Sequence, residues 1–180
     1  MKFLGISGSL RKASNNTGLL RAAQQNLPAG VTMEIADLSE VPFFNSDLTE
    51  RPASVERLFK QMAEADAFVL ACPEYNYSLA PALKNAIDWA SRFPDNTLLA
   101  GKACAIVSSG GGMGGARSQY HFRQVCVYVD LHPLNKPEVF AKSFSDSFDT
   151  YGNLVDQKVI ALLAEQMATL KKWAQKLSPN

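Results

Sequence analysis

The sequence predicts a doubly wound α/β domain, in which a parallel sheet of five strands is covered by helices on both faces. Apolar runs of strand length alternate with apolar stripes at helical spacing along the chain. The strand-like runs are apolar almost throughout, which is typical of strands buried on both faces. Because 180 residues suit one such unit, residues 1–180 are expected to form a single domain.

The first part of the chain predicts three strands and two helices. The strands are expected at Lys2 to Ser7, Val31 to Ala36 and Ala67 to Cys72, where short apolar runs are bounded by polar or turn residues. Between them lie two apolar stripes at helical spacing. The stripe of the first helix is Leu19, Leu20, Ala23 and Leu27, and that of the second is Val55, Leu58, Phe59 and Met62.

The second part continues the alternation with three helices and two strands. Pro81 suits the first turn of a helix that runs to Arg92, and Ala103 to Val107 is the expected fourth strand. A less regular run from Leu131 to Ala141 is the expected fifth strand. The two remaining helices are predicted from the stripe Phe122, Val125, Cys126 and Val129 and from the stripe Ile160, Leu163, Met167, Leu170, Ala174 and Leu177.

Composition excludes several classes of function. The formal net charge is +1 and no basic cluster stands out, so neither nucleic acid nor an anionic membrane is expected as a partner. Two histidines without neighbouring ligands predict no metal site. Three separated cysteines, a first strand that begins at Lys2 and the lack of a long apolar run predict a cytoplasmic protein without a membrane span.

The loop after the first strand has the composition of a phosphate site. Residues 8–17 are rich in hydroxyl and amide side chains, contain Arg11 and run into a helix start. A helix N-terminus offers unpaired N–H groups and a partial positive charge, which suit a terminal phosphate dianion. For Ser14 or Asn16 alone, capping of the helix is an equal explanation.

Two other loops are expected at the same edge of the sheet, because ligands of such sheets bind at the carboxyl ends of the strands. The loop after the third strand, Pro73 to Ser78, carries two tyrosines that could border a planar ring. The loop after the fourth strand, Gly110 to Gly115, would let backbone N–H groups approach a flat ligand. Ordinary packing of the tyrosines and a flexible glycine loop without function are the alternatives.

Three motifs together resemble the NAD(P)H-dependent FMN reductases, and within them the branch of quinone reductases and chromate-reductase-like proteins. They are G-S-L-R-x-x-S at residues 8–14, P-E-Y-N-Y-S at residues 73–78 with L-K-N-A-I-D-W at residues 83–89, and G-G-A-R-S-Q-Y-H at residues 114–121. The resemblance covers nearly the whole chain. It implies a flavodoxin-like fold with the strand order 2-1-3-4-5 and FMN as the bound cofactor.

The resemblance also implies which residues hold the cofactor. The FMN phosphate would be bound by Ser9, Arg11, Ser14, Asn16 and Thr17, and the isoalloxazine would be bordered by Pro73, Glu74, Tyr75, Asn76 and Tyr77 and by Ser109, Gly110, Gly111 and Gly112. Asn15 precedes Asn16, which leaves the amide position of the motif ambiguous by one residue. Related proteins form dimers and tetramers through the helices that correspond to residues 83–92 and 116–129, so a homodimer or homotetramer is expected.

The expected activity is reduction of quinones or similar small acceptors by NADPH or NADH through the bound flavin. The flavin carries out the redox step, so no side chain is assigned as catalytic. Nicotinamide and quinone would use the same flavin face in turn, which predicts a ping-pong order. The sequence does not choose between the two nicotinamides or among quinones, free flavin, azo dyes, ferric chelates and chromate, and it leaves Arg117 and Tyr120 without a role.

Two alternatives belong to other classes. An electron-carrier flavodoxin would bind FMN without turnover of NAD(P)H, but carriers as a family tend to be strongly acidic and this chain is almost neutral. A Rossmann dehydrogenase could use the match to G-x-G-x-x-G at Gly110 to Gly115, with Glu138 at about the position of the expected acidic residue. That match follows the fourth strand, and the first strand lacks the fingerprint.

Overall fold

A computed structural model describes residues 1–178 of the chain. In chain order, its strands are β1 (Lys2–Ser7), β2 (Thr32–Ala36), β3 (Ala67–Ala71), β4 (Glu74–Tyr75), β5 (Ser78–Leu79), β6 (Ala103–Gly110), β7 (His132–Pro133) and β8 (Val139–Lys142). The helices are α1 (Asn15–Gln25), α2 (Ala53–Glu64), α3 (Pro81–Ser91), α4 (Ala116–Val129) and α5 (Gln157–Leu177), with a short 3₁₀ helix at Pro94–Asn96.

The central sheet is parallel and has the predicted order. Its strands run β2-β1-β3-β6, and both β7 and β8 pair with the outer side of β6. If β7 and β8 together count as the fifth strand, this is the order 2-1-3-4-5 of flavodoxin-like sheets. The prediction of the fold is confirmed.

The fifth strand is broken, which corrects the prediction of one run from Leu131 to Ala141. β7 pairs with the start of β6 and β8 with its end, and the chain leaves the sheet between them. Pro133 and Pro137 lie in this region. Because proline has no N–H to donate, neither residue supports a continuous ladder.

Helices cover both faces of the sheet, as predicted. Successive strand residues point to opposite sides, so Leu4 and Phe68 join one core while Phe3 and Val69 join the other. The first core contains the apolar stripes of α2, α3 and α4, and the second those of α1 and α5. The sheet is therefore buried between two helical layers, and its carboxyl edge is left for the loops.

Several element boundaries differ from the predictions, and one short element was missed. Helix α1 ends at Gln25, before Leu27, because a residue that precedes proline disfavours helical backbone angles. Strand β6 extends to Gly110 because β8 pairs with its last residues, including Ser109 and Gly110. The short hairpin of β4 and β5 was not predicted.

No helix among residues 1–178 is both long enough and apolar enough to cross a bilayer.

Candidate functional site

A cleft of about 520 Å³ opens at the carboxyl edge of the sheet. This volume lies in the range typical of pockets for small molecules and cofactors. The structure brings the loops after β1, β3 and β6 together in its wall, as the sequence predicted. Of the predicted residues, those that line the cleft are Ser9, Arg11, Ser14, Asn16, Pro73, Glu74, Tyr75, Ser109, Gly110 and Gly111.

The first wall is built by the start of helix α1. Ser14 is its N-cap, and the Ser14 Oγ accepts a hydrogen bond of 3.2 Å from the Thr17 N–H. The N–H groups of Asn15 and Asn16, which precede Thr17 in the first turn, have no intrahelical acceptor, which is the general property of helix starts. Arg11 is exposed, and its Nη2 donates to the Ala13 carbonyl at 2.8 Å. This wall presents N–H and guanidinium donors, which suit an anion.

The two asparagines of the first wall have structural bonds to distant parts of the chain. Asn16 is buried, its Nδ2 donates to the Ser109 carbonyl at 2.9 Å, and its Oδ1 accepts from the Ser109 N–H at 2.9 Å. Both amide atoms are thus bonded to the end of β6. Asn15 donates to the Ser143 carbonyl at 3.2 Å. Each asparagine fixes helix α1 to another wall of the cleft, because both side-chain amides donate to backbone carbonyls there.

A close backbone contact fixes the same wall to the segment after β8. A Cβ on Gly18 would lie 1.8 Å from the Gly152 carbonyl oxygen, and a Cβ on Gly152 would lie 2.7 Å from the Ala13 carbonyl oxygen. Gly152 also has a φ of +76°, in the region that favours glycine. These two glycines let the loop before α1 and the segment before α5 meet at one end of the cleft.

The second wall is the hairpin of β4 and β5, which is attached to helix α4 through side chains. Arg117 Nε donates to Glu74 Oε1 at 2.6 Å, and the Arg117 guanidinium lies 3.8 Å from the centroid of the Tyr77 ring. Ser78 Oγ and His121 Nδ1 are 2.8 Å apart. Arg117, for which the sequence offered no role, therefore connects the hairpin to α4.

The glycine run of the third wall divides into two kinds of position. Gly114 and Gly115 have positive φ values and pack against Phe140 and Ser108, so they serve the turn into helix α4. A Cβ on Gly111 or Gly112 would meet no atom within 4 Å. Only Gly111 of this open pair lines the cleft.

A fourth wall was missed by the sequence analysis. It is the segment between β8 and α5, which contributes Ser143, Phe144, Phe148, Asp149, Thr150 and Gly152 to the cleft. The Ser143 N–H donates to the Gly110 carbonyl at 2.7 Å, and the Ser143 and Ser109 hydroxyls are 2.7 Å apart. The rule that strand ends share one edge would have indicated this loop too, since it follows the fifth strand. Ala13 and Asn15 also line the cleft and were not predicted.

Some predicted residues lie beside the cleft instead of in its wall. Thr17 donates from its hydroxyl to Ser7 Oγ at 2.9 Å and lines a smaller neighbouring cavity of about 260 Å³, which Ser9 and Arg11 also reach. Asn76 and Tyr77 form the tip of the hairpin, with φ values of 49° and 70°. Gly112 lies outside the wall next to Gly111.

The charges that line the cleft are Arg11, Glu74 and Asp149. Glu74 is paired with Arg117, so its charge is offset. Asp149 accepts hydrogen bonds from the Asn153 side chain and from the Asn153 and Tyr151 N–H groups, and these bonds lower the pKa of its carboxyl. Asp149 therefore keeps its negative charge at neutral pH, and the groups of the lining that suit an anion are Arg11 and the N–H groups at the start of α1.

Neither a thiol nor a metal is indicated at the site. Cys72 precedes Pro73, and burial raises the pKa of its thiol to about 12, so the thiolate needed for nucleophilic chemistry does not form at neutral pH. Within residues 1–178, no group of three or more His, Cys, Asp and Glu side chains is arranged to hold a metal ion.

The geometry fits FMN in three respects. The donors of the first wall suit a terminal phosphate, the cleft has room for a cofactor-sized ligand, and Gly111 leaves open space where a flat ring could approach the backbone. Tyr75 adds an aromatic surface in the second wall.

The known proteins to which this chain is similar are named as FMN reductases and quinone oxidoreductases. The family model described as NADPH-dependent FMN reductase matches residues 1–146. A protein named NAD(P)H-dependent FMN reductase from Pseudomonas aeruginosa is 46% identical, with 98% of this chain and 97% of that protein covered. A protein named NAD(P)H:quinone oxidoreductase from Solanum tuberosum is 47% identical, with 98% and 94% covered.

A solved structure shares the fold over nearly the whole chain. It is the flavoenzyme NAD(P)H:(acceptor) oxidoreductase FerB from Paracoccus denitrificans, with a TM-score of 0.85 and 28% identity. The alignment covers 97% of each chain.

Proposed function

The chain belongs to the NADPH-dependent FMN reductase family, and on that premise we propose that it is an NAD(P)H-dependent oxidoreductase that holds FMN in the cleft and reduces quinones. The observation that carries the proposal is that donors suited to a phosphate and a wall suited to a flat ring border one cleft. The relatives named for FMN reduction and for quinone oxidoreduction support both halves of the activity.

The phosphate end is the first wall. Ser9, Arg11 and the N–H groups at the start of α1 would bind the phosphate, and Ser14 caps the helix by accepting the Thr17 N–H. Asn16 acts indirectly, because its amide bonds to Ser109 fix the distance between the phosphate end and the ring end.

The ring end lies between the hairpin and the glycine run. Pro73, Glu74 and Tyr75 border it on one side, and Ser109, Gly110 and Gly111 on the other. The peptide groups of the glycine run would stabilise negative charge that develops on the ring, by the logic of an oxyanion site. The pair of Glu74 and Arg117 holds the hairpin in place against helix α4.

Bound flavin would supply the redox chemistry, accepting a hydride from the nicotinamide and giving two electrons to the quinone. The protein supplies position and electrostatics, and no side chain is assigned as acid, base or nucleophile. The two substrates would bind on the same exposed side of the cleft, one after the other. Such sharing predicts a ping-pong order.

The test is anaerobic stopped-flow mixing of the FMN-loaded protein with NADPH and, separately, with NADH. We expect rapid loss of the yellow colour with at least one nicotinamide and its return when a benzoquinone is added. No bleaching with either nicotinamide would favour the alternative, an electron carrier. Initial-rate plots should be parallel, and intersecting plots would contradict a shared side of the cleft.

The oligomeric state and the cellular location are two further predictions. A homodimer or homotetramer is supported by the surface of helix α4, where Val127 and Tyr128 are exposed by more than four-fifths. A cytoplasmic location is supported by the cysteines, since Cys72, Cys104 and Cys126 are all free and buried.

A further inference from the structure

Phe144 is an exposed aromatic residue in the fourth wall of the cleft. Its side chain is 93% exposed, although it lines the same cleft as the predicted cofactor residues. Single exposed apolar side chains are common on protein surfaces, so the exposure of Phe144 is informative because this residue lines the cleft. A ligand bound in the cleft would cover the side chain of Phe144.

The exposure of Phe144 does not reflect a loose segment, because the residues around it are well bonded. Ser143 is bonded to Gly110, Ser109 and Asn15. On the other side, Ser145 Oγ donates to the Lys142 carbonyl at 2.8 Å and closes a turn with Phe144 at its tip. The backbone therefore presents the ring at a defined place.

The residue before Phe144 is bonded to both ends of the cleft. Asn15 belongs to the first turn of α1 at the phosphate end, and Ser109 and Gly110 end β6 at the ring end. Ser143 is bonded to all three of these residues, so the backbone immediately before Phe144 is fixed to both ends of the cleft. Tyr75 lines the cleft from the hairpin, so aromatic side chains reach it from two separate loops.

We propose that Phe144 covers the bound flavin and makes aromatic contact with it, and that it thereby retains the cofactor in the cleft. This inference rests on the proposed function. Contact between aromatic rings stabilises a complex beyond the area that it buries, which makes Phe144 a determinant of flavin affinity. The flavin ring system would cover the exposed side chain of Phe144.

The test is titration of the flavin-free protein with FMN, followed by quenching of flavin fluorescence, for the wild type and the variants F144A and F144Y. We expect F144A to raise Kd between about twofold and tenfold and to leave the bound flavin more fluorescent. F144Y should stay close to the wild type because it keeps the ring. F43A is the control, since Phe43 is 76% exposed but does not line the cleft.

The outcomes separate this inference from the proposed function. Wild-type protein that fails to bind FMN would overturn both. Tight binding by the wild type with an unchanged Kd for F144A would overturn only the role of Phe144. An equal loss for F144A and F144Y, or an equal loss for F43A, would also overturn it. Because Phe144 is exposed, the thermal midpoint of each variant should match the wild type.

Discussion

The phosphate end and the ring end of the cleft are held together by different kinds of interaction. At the phosphate end, backbone and amide groups make the contacts, as in the hydrogen bond of Asn15 to the Ser143 carbonyl and the approach of Gly18 to Gly152. At the ring end, the hairpin is attached by the side chains of Glu74, Arg117 and His121. Ion pairs with a partly exposed member are worth less than buried bonds and are screened by salt.

This difference matches the two tasks that the proposed function requires. The cofactor phosphate stays bound through every cycle, so rigid and buried contacts suit the site that holds it. At the ring end, two different substrates must bind in turn, and a wall attached by side chains tolerates small rearrangements better than one attached by its backbone. The comparison therefore predicts that substitutions at the phosphate end affect stability and affinity most.

The largest effect is expected for G18A, which disrupts the phosphate end itself. The new Cβ would lie 1.8 Å from the Gly152 carbonyl oxygen. The helix backbone fixes the position of the Cβ and the carbonyl is itself a backbone group, so neither can rotate away. We expect the free energy of unfolding, measured by urea denaturation, to fall by about 1–3 kcal/mol. G112A is the control, because its Cβ has open space. Equal stability of the two variants would contradict the close packing of α1 against the segment before α5.

The next effect concerns a single charge at the phosphate end. R11A removes a guanidinium that lines the cleft, whereas K12A removes an equal charge from the neighbouring exposed residue that does not line it. We expect R11A to weaken FMN binding about tenfold, as for the loss of a hydrogen bond to a charged group. K12A should change Kd little. Equal losses in the two variants would show that only the general charge of the loop matters.

The same comparison explains how far the sequence could predict the structure. The first wall was predictable because its signals are local: a buried strand, a loop rich in donors and a helix start follow one another within residues 2–25. The helices with clear apolar stripes and the four continuous strands were predictable for the same reason. The spacing of apolar residues reveals which face of a helix or strand is buried, provided that the element is continuous, and these elements are.

The parts that escaped prediction are too short or depend on distant contacts. The hairpin has strands of two residues, and its turn uses Asn76 and Tyr77 with positive φ at both positions. Such a turn is usually indicated by Asn-Gly, so the tyrosine conceals it. The fourth wall depends on contacts such as that of Asn15 with Ser143, which lie 128 residues apart, and on the pairing of β8 with β6. The loop after the fifth strand could have been expected at the carboxyl edge of the sheet, but no local pattern encodes these particular contacts.

The smallest effect is expected at the ring end, from a single methyl group. G111A and G112A place a Cβ in equally open space, and neither glycine has a positive φ, so both variants should be as stable as the wild type. Of these two glycines, only Gly111 lines the cleft. If the flat ring rests on the backbone there, the methyl group of G111A holds it away and forfeits part of the van der Waals contact, which predicts a loss of FMN affinity of roughly threefold. G112A should keep the wild-type Kd in the same fluorescence titration. A matching loss in G112A would mean that the methyl groups act through the mobility of the glycine run, and the ring end would then depend on its backbone as much as the phosphate end does.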